Sequence, residues 1–242
     1  MSETSETSET KQTTKVDGTV TLSQTVASVV AGHTECAEVF MRHRIDFCCR
    51  GDQSIQQAAT ERGVDTQTLL RELENAILAR NPTAEPTVTE LSTAALLAHI
   101  VQQHHAYLRQ ALPFLVPLGA KVARVHGDHN PKLKKLAEAV QKLSDTLLAH
   151  LDDEEQVLFP ALLSADTPAD EKTQKLLAMK QEHLLVAEQL RQIRESSDDF
   201  SLPDWACRSY QALFGELLAL EKDVFTHVHL ENHVVLPRFV GV

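Results

Sequence analysis

Two short phrases carry most of the chemistry in this chain. "HLDDEEQVLFP", residues 150 to 160, places His150 and Glu154 four residues apart. "HVHLENHVVLP", residues 227 to 237, does the same with His227 and Glu231, and each phrase ends on a proline ten positions after its histidine. On a helix, positions i and i+4 share a face. That face continues in Leu143, Leu147, Val157 and Leu158 around the first pair, and in Val224, Val234 and Val235 around the second. Both pairs are therefore expected to point into an apolar interior. A buried carboxylate without a compensating charge is costly or is forced to stay protonated. A shared cation relieves two of them at once. Imidazole and carboxylate ligands suit iron, manganese or zinc, and two carboxylates able to bridge suit a dinuclear centre. A single such pair usually reads as a core histidine bonded to its own glutamate. The repeated spacing with the same trailing proline favours metal.

Further histidines extend the set. His183 shares a helical face with Leu176, Met179, Val186 and Leu190. An earlier helix offers His99, His104 and His105. Spacing leaves the last two open: His104 lies with Leu97, Ile100, Val101 and Leu108, which periodicity slightly favours, and His105 lies with Val101, Leu108 and Leu112. His229 and His233 lie about 200° and about 240° around the helix from His227 and are expected to face solvent. His126 and His129 stand in "VHGDHN", just before a helix start.

"FCCRGDQSIQQAA" sets Cys48 and Cys49 just before a helix whose capping box is Ser54 and Gln57. Neighbouring cysteines cannot pair with each other without severe strain. The helix N-terminus, with Arg44 and Arg50 nearby, is expected to lower a thiol pKa and favour the reactive thiolate. The alternative is two small buried residues filling a turn. Cys36 and Cys207 lie among helical apolar residues and are expected to serve packing.

The elements that must position these groups are all helical. The chain has 242 residues, 43% of them hydrophobic, enough for one fair-sized domain or a small and a medium one. Its net charge of -11 argues against a nucleic-acid partner. No apolar run approaches a membrane span, and no signal peptide is visible. The cysteines do not form a disulfide scaffold, which fits a reducing cytoplasm. Residues 1–20 open with a low-complexity "SET" repeat and are expected to be disordered. Residues 21–80 read as a small domain of three or four helices. Residues 81–90, with Pro82 and Pro86, read as a linker. Residues 91–242 hold four longer helices near 91–112, 131–163, 169–195 and 203–236. Asn130-Pro131 and Thr167-Pro168 mark two starts, and Thr167 with Asp170 and Ser201 with Asp204 have capping-box spacing. No stretch offers strand alternation. The expected fold is all-α, a small N-terminal helical domain followed by an antiparallel four-helix bundle.

The two His–Glu phrases, with His183 between them, resemble the hemerythrin-like di-iron bundles. "IDFCCRG" resembles the short Cys-Cys domain of the iron–sulfur cluster repair di-iron proteins, the repair-of-iron-centres family. The combined resemblance covers residues 20 to 240. It implies a centre similar to that of hemerythrin, with five histidines and two glutamates. Carried over by motif, these are His105 in "QQHHAYLRQALP", His126 in "RVHGDH", His150, Glu154, His183 in "QEH", His227 and Glu231. His105 is selected because it stands eight positions before Pro113. His126 follows His105 by 21 residues, roughly 31 Å along a straight helix. The two share a site only if the chain turns back at Pro113, Pro117 or Gly119. The family commonly has two glycines after its cysteines, where this chain has Arg50 and Gly51.

The resemblance further implies two non-haem iron ions, oxo- and carboxylate-bridged. It implies repair of iron–sulfur proteins damaged by oxidative or nitrosative stress through iron donation, with Cys48 and Cys49 in redox, transient iron-binding or docking roles. Reduction of nitric oxide at the centre, oxygen and nitric oxide as small partners, and a homodimer belong to the same expectation. An oxygen or nitric oxide carrier without turnover, and a structural zinc bundle, are the alternatives.

Overall fold

The structure, a computed structural model, describes residues 20–79 and 88–240. The expected disordered extension before Val20, and Pro82 and Pro86 of the expected linker, lie outside the described residues. No strand forms among the described residues, and the all-α expectation holds. No helix among them is long and apolar enough to cross a membrane.

The N-terminal part is four short helices. α1 (Val26–Gly32) begins on Thr25, whose Oγ1 accepts from the Ser28 amide. α2 (Cys36–Arg42) follows. α3 (Ile55–Arg62) opens on the capping box at Ser54 and Gln57 and closes on Gly63, whose φ of 66° favours glycine. α4 (Thr66–Ala79) packs on α2 and α3. Val26, Val29, Val30, Val39, Phe40, Leu69 and Leu73 form the interior. Leu78, which shares the apolar spacing of α4, is 81% exposed, because only one side of that helix meets its neighbours.

Four long rods form the rest. The first runs through α5 (Thr93–Ile100), a π-helical turn over Val101–His105, and α6 (Ala106–His126). The second runs through α7 (Lys132–Asp153), a π turn over Glu154–Leu158, and α8 (Phe159–Leu163). α9 (Ala169–Ser196) is the third. The fourth is α10 (Arg208–Leu230), a π turn over Glu231–Val235, and a 3-10 turn over Leu236–Arg238. α6 packs on α7 and α10, and α7 on α9.

Two boundaries differ from expectation. The first rod passes through Pro113 and Pro117 instead of ending at 112. Both prolines are exposed, so the carbonyls they leave without an amide partner lie on the solvent side. α10 begins at Arg208, after a left-handed turn over Asp198, Asp199 and Phe200, with φ values of 50°, 56° and 59°, and a further turn closed by the Ala206 amide on the Pro203 carbonyl. The left-handed turn is pinned by Phe200 against Phe214 and under the Arg194 guanidinium. The Ser201–Asp204 spacing consequently caps nothing, and α9 starts without a side-chain cap from Thr167. Asn130 does cap, accepting from the Lys132 amide at 3.1 Å.

The apolar interior of the bundle is cut in two. One cluster contains Leu108, Leu147, Leu151, Val186, Val224 and Val228 and is continuous with the small N-terminal core. The other contains Leu97, Ile100, Leu158, Phe159, Met179 and Val234. Along each rod, a polar layer separates them.

Candidate metal centre

The first rod brings His105 into that layer, the second His150 and Glu154, α9 His183, and the fourth His227 and Glu231. None of the six is more than 5% exposed. They form two groups that share both carboxylates: His105 and His227 with Glu154 and Glu231, and His150 and His183 with the same two glutamates. Within each group the ligating atoms lie within 4.8 Å of one another.

Each glutamate spans both histidine pairs, one oxygen to each. Glu154 Oε2 is 3.4 Å from His105 Nε2, and its Oε1 is 3.2 Å from His150 Nε2. Glu231 Oε1 is 2.9 Å from His227 Nε2, and its Oε2 is 3.2 Å from His183 Nε2. The Nε2 atoms of His105 and His227 are 3.2 Å apart, as are those of His150 and His183. Two nitrogens each about 2.1 Å from one ion, at an angle of about 90–109°, stand about 3.0–3.4 Å apart. The donor set thus fits a metal pair. Among the described residues, both oxygens of Glu154 and Oε2 of Glu231 are buried without a hydrogen-bond partner, which is the deficit a cation would fill.

The outward ring nitrogens are held as metal-bound imidazoles require. His105 Nδ1 donates to Glu155 at 2.9 Å, His150 Nδ1 to Glu182 at 2.7 Å, and His183 Nδ1 to Asn232 at 2.9 Å. These bonds place the proton outward and aim each Nε2 inward. Among the described residues, His227 Nδ1 has no hydrogen-bond partner. Beside it His104, stacked on the His227 ring at 5.8 Å, bonds Asp223 at 2.9 Å. Burial opposes charge at both Glu231 and His150. At Glu231, His227 and His183 outweigh burial and hold the carboxyl well below its usual range. At His150, Glu154 outweighs burial and lifts the ring to about 10. A cleft of about 130 Å³ beside His150 and Glu154, lined also by Met179, Lys175 and Glu182, connects this layer to the surface.

Residues 96–239 match the hemerythrin HHE cation binding domain. The chain belongs to this hemerythrin family. Residues 22–77 match a domain of unknown function, DUF542. The chain is 31% identical over 222 residues to the iron–sulfur cluster repair protein ScdA of Staphylococcus haemolyticus, covering 91% of this chain and 99% of that one. It is 28% identical over 216 residues to the iron–sulfur cluster repair protein YtfE of Yersinia pseudotuberculosis, covering 89% and 96%. The ScdA protein of Staphylococcus epidermidis is 29% identical over 223 residues, covering 90% and 99%.

Within the hemerythrin domain, His126 stands apart from the other six candidates. It ends α6, because the rod does not turn back at the prolines. Its Nε2 lies 3.1 Å from Cys207 Sγ, and its ring packs on Trp205 and Tyr210. Cys207 is accordingly an exposed cap-position residue rather than packing, whereas Cys36 is buried.

His229 and His233 face the DUF542 domain instead of solvent. His229, 2% exposed, donates to the Phe47 carbonyl at 3.2 Å, and burial pushes its pKa down to about 4. His233 Nε2 and Asn232 Nδ2 both donate to the Cys48 carbonyl at 2.9 Å. The face of the fourth rod that turns from the bundle axis is covered by the Cys-Cys loop. Gly51 permits this closeness: a Cβ there would lie 2.7 Å from Ala27 Cβ and 2.9 Å from His233 Nε2.

The thiols also differ from expectation. Arg44 pairs with Asp199 and Arg50 with Glu61, so neither guanidinium serves the cysteines. Burial, the Cys49 thiol and the Asp46 carboxylate push the Cys48 thiol well above its usual value. Cys49 Sγ donates to the carbonyl of His183 at 3.6 Å, directly behind that residue's imidazole.

The three π turns are the functional feature that the residue pattern does not announce. Each begins or ends on a ligand candidate: His105, Glu154 and Glu231. Two are followed one residue later by a proline, Pro160 and Pro237. A residue without an amide hydrogen disturbs the ladder of the turn before it, and π turns concentrate at functional sites. The trailing prolines were the available signal.

Proposed function

We propose that this hemerythrin-family protein holds two iron ions and serves in the repair of iron–sulfur clusters damaged by oxidative or nitrosative stress. The observation that carries the reading is the double span of Glu154 and Glu231, one oxygen of each toward each histidine pair. His105 and His227 would hold one ion, His150 and His183 the other, and the two glutamates would serve both. His126 is outside this set. The names of the relatives, iron–sulfur cluster repair proteins, support the client class. When bound, the metal pair supplies a redox-active Lewis-acid centre for small diatomics such as nitric oxide and oxygen.

The chain's own residues do the rest. Glu155, Glu182 and Asn232 fix the imidazole orientations. The apolar clusters above and below keep the layer dry. The cleft beside His150 gives ions and diatomics a way in or out. Four free cysteines are in keeping with the reducing cytoplasm in which such clients are damaged.

The test is anaerobic metal analysis with Mössbauer spectroscopy, followed by reactivation of a peroxide-damaged iron–sulfur enzyme. Two irons per chain and restored client activity are expected. A single zinc per chain, or iron-loaded protein that restores nothing, overturns the reading.

A further inference from the structure

A second cluster of metal-ligating side chains lies outside the His–Glu layer, at the seam between the DUF542 domain and α9. An Asp46 carboxylate oxygen and the sulfurs of Cys48 and Cys49 all lie within 4.8 Å of one another. Asp46 Oδ1 accepts from the backbone amides of Cys48 at 3.0 Å and Cys49 at 2.8 Å. This bends the loop so that both thiols project to the same side. The sulfurs are 3.6 Å apart, and Cys48 Sγ is 3.2 Å from Asp46 Oδ1.

Three physical facts single this cluster out. Neighbouring cysteines resist closing a disulfide, so the pair stays available as two thiols. Two sulfurs each about 2.3 Å from one tetrahedral ion stand about 3.8 Å apart, close to the spacing seen here. Cys48 is buried against a carboxylate, where a bare thiolate is disfavoured and a cation would satisfy both groups. The fourth direction is open: a cavity of about 660 Å³ borders the cluster, lined by Asp46, Cys49, Arg50, Leu184 and Phe225 among others.

We propose that Asp46, Cys48 and Cys49 form a mononuclear site for a thiophilic divalent cation, Fe(II) or Zn(II), whose fourth ligand enters from the junction cavity. Two sulfurs and one carboxylate oxygen bind the ion, and the two thiol protons pass to solvent. Cys49 touches the His183 carbonyl, and Asn232 joins the Cys48 carbonyl to the His183 ring. The site is thus one residue removed from the His–Glu layer. Its use as a stopover for iron bound for a client rests on the repair function proposed above; the binding of an ion does not.

The test adds Co(II) anaerobically to the iron-loaded full-length protein. The expected result is one further equivalent bound, with sulfur-to-cobalt charge-transfer absorption. That absorption should vanish in the Cys48→Ser, Cys49→Ser double variant and persist in Glu154→Ala. Asp46→Asn keeps an acceptor for the two loop amides while removing the charge, and should weaken cobalt binding about ten- to hundredfold. Added Zn(II) should likewise slow alkylation of Cys48 and Cys49 in the wild-type chain, read by mass spectrometry. No sulfur-to-cobalt absorption, with alkylation unaffected by zinc, overturns the site even if client repair succeeds. The absorption without any client repair keeps the site and removes its stopover role.

Discussion

Two histidine clusters occupy the bundle, and they do opposite things with the same side chain. In the central layer His105, His150, His183 and His227 turn ring nitrogens toward two buried carboxylates. At the far end of α6, His126 and His129 turn ring faces toward Trp205, and His126 also toward Tyr210. His126 Nε2 meets the Cys207 thiol at 3.1 Å. Both clusters stand in a histidine-rich chain, so histidine number does not separate them. What separates them is company. The central histidines meet buried carboxylates that need a positive charge, whereas those at the end of α6 meet ring faces.

That contrast can be broken most sharply at the carboxylates. Glu154→Ala or Glu231→Ala each removes an arm shared by both histidine pairs, so metal content should fall from two ions per chain to one or none by elemental analysis. Next in size is removal of the metal itself. With free metal roughly a thousandfold above Kd, stripping the ions should cost about 4 kcal/mol of stability per ion in urea unfolding. The same chelation should leave the environment of Trp205, the single tryptophan, unchanged in the folded protein. Smaller again is the outer support of one ligand. Glu155→Leu leaves His105 Nδ1 without its acceptor and should weaken metal affinity about ten- to hundredfold in competition with a chelator. Smallest is His126→Ala, which should leave metal content at the wild-type value and change stability by less than about 1 kcal/mol. It should nonetheless alter Trp205 fluorescence, because the two rings are 5.6 Å apart. Loss of metal in this variant would erase the contrast.

Much of the centre was readable from residue spacing, and the failures have specific causes. His150 with Glu154 and His227 with Glu231 follow from the i, i+4 rule, because α-helical geometry holds between those partners. His183 follows from its apolar face on the uninterrupted α9. The choice between His104 and His105 could not follow from periodicity. Both stand in the π turn over Val101–His105, where about 100° per residue no longer applies. His229 and His233 were misplaced for a different reason. A helical wheel shows which side turns from the bundle axis, but not that another domain covers that side. His126 came from the resemblance, while the length of an unbroken helix already set it about 31 Å from His105.

The π turns carry a consequence for how this protein can change. Each holds one residue more than an α-helical turn, and three of them lie in the same layer of the bundle. Losing one codon within 101–105, 154–158 or 231–235 would close the wide turn back to α-helical spacing and leave the rod on either side near its present phase, because the turn already absorbs the extra residue. The two apolar clusters would stay aligned, while the ligand candidate in the turn would shift. A codon lost from an α-helical stretch of the same rod would instead swing everything beyond it by about 100°. The turns are therefore the places where a rod can shed a residue and keep the two halves of its core in step, at the expense of the polar layer between them.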